Sequence, residues 1–170
     1  MDQMLNQLIQ HIQSENRYEF TSALSDLRLV IERFTMNRYE EKEMKDYYNL
    51  FGDKRLVDYK MQKDDYFLVK NFLFYALLNF PDRSLLTAKC IKVLFDNSAL
   101  EAICNSVEFF STKNDETTYE LILAITDVDE FGERYNNKRI MDLFVYISEF
   151  GGELSKELVK CDLKFSSDSL

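Results

Sequence analysis

Along most of this chain the apolar residues recur at the period of an α-helix, and no stretch alternates convincingly as a strand does. Leu5, Leu8, Ile9 and Ile12 follow i, i+3, i+4, i+7. Phe20, Ala23, Leu24, Leu27, Val30, Ile31 and Phe34 then hold one stripe for four to five turns. No hairpin dipeptide joins two β-rich runs. A 3.6-residue period buries one stripe per helix, so each helix needs others to pack against. Short connections between successive helices favour antiparallel neighbours. The expected fold is therefore all-α, with helical hairpins packed as a bundle or a short HEAT- or armadillo-like array. A chain of 170 residues suits one domain. It is expected over residues 1–165, with a disordered tail at 166–170.

The punctuation is helical too. Residues 38–50 are charged and Tyr-rich, and Gly52 suits the end of a helix there. Residues 53–62 read equally as a short helix or an extended linker. Asp64 or Asp65 suits the cap of an apolar helix that ends at Phe80, before Pro81. Twelve of the fifteen residues from Tyr66 to Phe80 are apolar, which predicts a helix wrapped by neighbours on most sides. A helix from Ser84 carries Leu85, Leu86, Ile91, Leu94 and Phe95. The next, after Asn97-Ser98, carries Leu100, Ile103, Cys104, Val107 and Phe110. Asn114 or Asp115 caps one with Leu121, Ile122, Ile125 and Val128 inward. Ile140, Met141, Phe144, Ile147 and Phe150 define another, ended by Gly151-Gly152. A short helix from Glu153 to about Cys161 closes the series.

Several function classes lack their residues. The Tyr66 to Phe80 stretch, at fifteen residues, falls short of the roughly 20 that span a bilayer. The first residues have no basic run, so a cytoplasmic protein without a membrane partner is expected. Cys90, Cys104 and Cys161 are odd in number and share no close spacing, which predicts free thiols packed as small apolar residues. Zinc lacks a C-x-x-C pair, and the one histidine, His11, neighbours neither cysteine nor carboxylate. Leu8 stands where a di-iron helical bundle needs Glu three residues before that His. Asp127-Val128-Asp129-Glu130-Phe131-Gly132 begins like a calcium loop. Phe131 at its fifth position and Lys138 at its twelfth remove two oxygen ligands. No G-x-S-x-G or phosphate-cradling glycine pattern occurs. No enzyme activity, cofactor or metal is expected.

Charge is the more informative signal. The chain carries -9 overall, which repels a nucleic-acid backbone. Residues 1–60 hold 9 bases and 11 acids, residues 61–95 hold 5 and 3, and residues 96–170 hold 7 and 16. The excess belongs to the last 75 residues. At 100° per residue, Glu116, Glu120 and Asp127 fall within about 40° of one another, beside an exposed Leu123. Asp129, Glu130 and Glu133 continue the strip, with Phe131 and Tyr135 among them. Seven acids from Asp115 to Glu133 precede the first base, Arg134, and repel one another in a way a basic partner would relieve. Aromatics beside acids suit an interface anchor. Glu116, Glu120, Leu123, Asp127, Asp129, Glu130, Phe131, Glu133 and Tyr135 are the expected partner-binding residues. Tyr39, Tyr47, Tyr48 and Tyr59 line a groove or cover the central helix.

The stretch Asn114-Asp115-Glu116-Thr117-Thr118-Tyr119-Glu120-Leu121-Ile122-Leu123-Ala124-Ile125, followed by an acidic loop and a further helix, resembles helical immunity proteins of bacterial polymorphic and contact-dependent growth inhibition toxin systems. The resemblance covers residues 65–165 in character. It implies a cytosolic protein that binds one cognate basic toxin, an RNase or DNase, and occludes its active site or substrate surface. A helical scaffold that binds a peptide or partner helix is the alternative. An enzyme built from scattered carboxylates and tyrosines ranks third.

Overall fold

In the computed structural model the described residues are 1–36, 56, 59–94, 97–126 and 138–168. Eight α-helices are found among them: α1 Gln3–Ile12, α2 Arg17–Met36, α3 Lys63–Asn79, α4 Ser84–Lys92, α5 Asn97–Phe110, α6 Asp115–Thr126, α7 Lys138–Phe150 and α8 Glu153–Asp168. A 3-10 turn at Pro81–Arg83 joins α3 to α4, and no strand occurs among the described residues. The fold is all-α. Its contacts divide into two compact units, Met1–Phe95 and Asp96–Leu170, each with its own core.

In the N-terminal unit α1 packs on α2, α2 on α4, and α3 on α4. Asp2 caps α1 by accepting from the Leu5 amide at 2.9 Å. Leu5, Leu8 and Ile12 are buried on its inner face. Phe20, Ala23, Leu24, Leu27, Val30 and Ile31 of α2 are buried as their spacing predicts, whereas Phe34 is partly exposed and stacks on Tyr66. Helix α3 starts at Lys63 after Gln62, so Asp64 and Asp65 do not cap it but lie in its first turn, where they complement the helix dipole. Nor is α3 wrapped on most sides. Val69, Leu73, Ala76 and Leu77 are buried, while Phe67, Leu68, Tyr75 and Leu78 form an open face. On α4 the inner face is made by Thr87, Ala88, Cys90 and Ile91, with Leu85 and Leu86 only partly covered.

Arg83 locks this unit. Its guanidinium donates to the carbonyls of Ile12 at 2.5 Å and Ser14 at 2.8 Å, where α1 runs out of internal donors. It also pairs with Asp82 and lies 3.8 Å from the centre of the Phe20 ring. Tyr59 is partly buried and its hydroxyl donates to Asp2. Burial first, then the Asp2 carboxylate, raises its phenol above the ordinary range. Tyr39, Tyr47, Tyr48, Gly52 and the helix expected at 38–50 lie outside the described residues.

The C-terminal unit closes into a ring of four helices: α5 packs on α6, α6 on α8, α8 on α7 and α7 on α5. Leu100, Ile103, Cys104, Val107 and Phe110 of α5 are buried as expected. Asn114 caps α6 by accepting from the Thr117 amide at 3.1 Å. Ile140, Leu143, Phe144 and Ile147 form the buried stripe of α7; Met141 is only partly covered, and Phe150, expected inward, is 59% exposed. Gly151 and Gly152 separate α7 from α8, which continues beyond Cys161 to Asp168.

Cys90 and Cys104 are buried, as expected of small apolar residues, but Cys161 is exposed. Burial pushes both inner thiols up to about 12. At pH 7 a thiol titrating near 12 is ionised to roughly one part in 10⁵. A thiol reagent should therefore modify one cysteine per native chain, Cys161, and all three in denaturant. Rapid labelling of two or more native thiols would contradict this packing.

Candidate functional site

The boundary between the two units falls between Phe95 and Asp96, where the charge also changes. The N-terminal unit is neutral overall, and the C-terminal unit carries the whole -9. Of its seven bases, Arg139 is turned onto the unit's own acids. Its guanidinium meets Glu108 at 2.8 Å and Glu101 at 3.4 Å, and donates to the Asn105 side chain at 3.0 Å. Burial would lower the Arg139 pKa, but these acidic neighbours outweigh it and hold it above its ordinary value. Lys113 lies 3.7 Å over the Phe109 ring.

Of the sequence-predicted residues, Glu116 and Glu120 stand exposed on the outer side of α6. Leu123, expected as exposed, is partly buried instead, since α5 and α8 both pack on this helix and leave it a narrow outer strip. Asp127, Asp129, Glu130, Phe131, Glu133 and Tyr135 lie outside the described residues, as does Val128.

A second acidic surface, absent from the sequence reading, stands where α7 meets α8. Its exposed apolar residues are Val145, Tyr146, Phe150 and Leu154. The Tyr146 and Phe150 rings lie 5.2 Å apart at 43°. Asp142, Glu149, Glu153 and Glu157 are exposed on the same two helices, and none forms an ion pair among the described residues. From residue 140 to residue 155 the chain has no Lys or Arg.

The two acidic surfaces are tied through Asp115. Its carboxylate accepts from the Leu154 amide at 2.9 Å and the Ser155 amide at 3.2 Å, and from the Ser155 hydroxyl at 2.6 Å. Glu116 is the next residue along α6, so the start of the predicted strip lies beside the start of α8. The signal for this arrangement was the base-free run with Tyr146 and Phe150 four residues apart, a spacing that shares a helix face.

Among the described residues no group of His, Cys, Asp and Glu has the geometry to hold a metal, and no helix is long and apolar enough to cross a membrane. His11, exposed in the last turn of α1, has no catalytic partner among them. A cleft of about 290 Å³ in the N-terminal unit is lined by Val30, Arg33, Phe34, Lys60 and Met61. Its Arg33 donates to the Tyr59 carbonyl at 3.0 Å. Compared with protein-family models, curated proteins and solved structures, the chain finds no match.

Proposed function

We propose that this chain is a binding protein rather than an enzyme: a cytoplasmic immunity protein that neutralises a cognate basic toxin, an RNase or DNase, by covering its active site or substrate surface. The observation that carries this reading is the segregation of the entire -9 into one helical unit whose exposed acids flank exposed aromatics. A nuclease must present cations to the phosphates of its substrate, and a surface of acids competes for those cations. Opposite charge also speeds the encounter, by an amount that salt diminishes. Phe150, Tyr146 and Leu154 supply the apolar contact that slows release.

The test is to read the genes on either side of this one for a secreted protein with a toxic nuclease domain, and to titrate that domain with this chain; neighbours that encode no such domain count against the reading. Loss of nuclease activity at one equivalent, with association slowing as salt rises, supports the reading. Undiminished activity in the presence of excess chain removes it. Reversal of Asp127, Asp129 and Glu130 to lysine should slow association by roughly tenfold or more at low ionic strength. Association unchanged by that triple reversal would move the interface off the 127–135 segment.

One observation favours a second reading. The open face of α3 (Phe67, Leu68, Tyr75 and Leu78) suits a helical scaffold that binds a peptide or partner helix through apolar contact. Binding through that face would be insensitive to ionic strength and abolished by polar substitution at Phe67 and Tyr75.

A further inference from the structure

We infer that the exposed ring pair of Tyr146 and Phe150 on α7, flanked by Asp142 and Glu149, is the docking point for an arginine side chain of a basic protein partner. The inference rests on the proposed role as an inhibitor of a basic toxin and names the chemistry of its contact.

Asp142, Tyr146 and Phe150 fall at i, i+4 and i+8, one row along the outer side of α7, and Glu149 stands one turn beyond Tyr146. Tyr146 is 39% and Phe150 59% exposed, so part of each side chain lies within reach of a ligand. A ring face carries a negative quadrupole that attracts a cation, and two carboxylates beside it reinforce the attraction. Guanidinium matches this combination best, because it stacks flat on a ring while its edge donates to carboxylate oxygens.

The protein already uses that combination around the buried Arg83. Arg83 lies 3.8 Å from the Phe20 ring centre and 4.9 Å from that of Phe80, and donates to Asp82 at 3.0 Å. At Tyr146 and Phe150 the rings and acids are in place, and the 140–155 run supplies no cation of its own. Charge complementarity also decides the occupant. A second copy of this face would bring four like charges together, and an apolar helix would strip water from Asp142 and Glu149 without replacing it.

The probe is a fluorescein-labelled deca-arginine peptide, with deca-lysine and deca-glutamate beside it, read by anisotropy at low salt on the full chain. Deca-arginine should bind more tightly than deca-lysine, and deca-glutamate not at all. Tyr146→Ala with Phe150→Ala should weaken deca-arginine binding about tenfold, while Phe150→Tyr should retain it. Far-UV circular dichroism checks that the variants stay folded, and Phe109→Ala serves as an exposed-ring control. Equal binding by the double variant and the parent would overturn the docking point, as would equal affinity for the two cationic peptides. The nuclease titration separates the two proposals. Full neutralisation by the double variant, at unchanged affinity, keeps the inhibitor and discards this contact. Ring-dependent binding of deca-arginine, with no neutralisation of the nuclease, keeps the contact and discards the inhibitor.

Discussion

Replacement of Arg83 by methionine should destabilise the N-terminal unit by about 3 kcal/mol, one of the two largest effects expected of a single substitution here. Methionine preserves much of the packing against Phe20 and Phe80 but removes every donor. The Ile12 and Ser14 carbonyls then lose a charged partner where α1 ends, each at a cost of roughly 1–2 kcal/mol. Loss of cation–ring attraction adds about 0.5–1 kcal/mol. Asp82 is exposed and is rehydrated, so it contributes little. Lysine at position 83 should recover only a small part, because an ammonium cannot reach both carbonyls and lie flat between rings. Urea unfolding followed by circular dichroism measures the loss, and hydrogen exchange assigns it to α1 and α2. A change below about 1 kcal/mol would show that these contacts do not hold α1 in place.

Arg83 also shows where sequence reading stops. Period and punctuation located α1, α2, α5 and α6 because those signals are local. Asn114 reads as a cap three residues before the amide it binds, and the core residues of α5 repeat in phase. Arg83 follows Pro81 and Asp82 in a turn, where a charged residue ordinarily faces water. Its burial depends on the end of α1 arriving from 71 residues away. Helix α3 fails for a different reason. A run apolar on every side has no moment to indicate direction, so composition suggested full enclosure while the packing of α3 on α4 leaves the opposite face open. Phe150 lies in phase with Ile147 but is the last residue of α7, so the core ends beneath it and the ring is left outside.

The candidate site was legible to the same degree. Charge accumulates along a chain, so counting it by segment found the acidic half, and the boundary it gave coincides with the division into units. The α7–α8 corner is hidden in the sequence because Phe150 repeats in phase with the core residues of α7 and Tyr146 sits on no core register. Both become visible as a site only when their exposure is known. Glu116 joins that corner through a carboxylate contact between residues 115 and 154, which no helical spacing encodes.

Asp115→Ala should cost the C-terminal unit about 2–3 kcal/mol, because this carboxylate caps a helix to which it does not belong. Helix α8 begins after Gly152, which has no side chain to bind the first amides, and Asp115 takes that role for Leu154 and Ser155. Loss of the cap costs about 1–2 kcal/mol, and the buried Ser155 hydroxyl loses its short acceptor for roughly another 1. A Cβ at position 152 would lie 2.5 and 2.6 Å from the two carboxylate oxygens, so Gly152→Ala should expel the same cap. The two substitutions remove one interaction, and the double variant should be no less stable than the worse single variant by more than about 0.5 kcal/mol. Burial is the largest single influence on the Asp115 carboxyl and raises its pKa. The hydrogen bonds from Ser155 and Leu154 together outweigh burial and hold it below the ordinary value. A pKa depressed by folding gives stability that is complete above the unfolded value, near 3.9, and lost as pH falls through the lower folded value. Parent and Asp115→Ala proteins should therefore differ most above about pH 5 and converge in stronger acid. Urea midpoints measured across that range test the sign. A stability gap that widens on acidification, or full additivity of the two substitutions, would show that Asp115 does not cap α8 as a carboxylate.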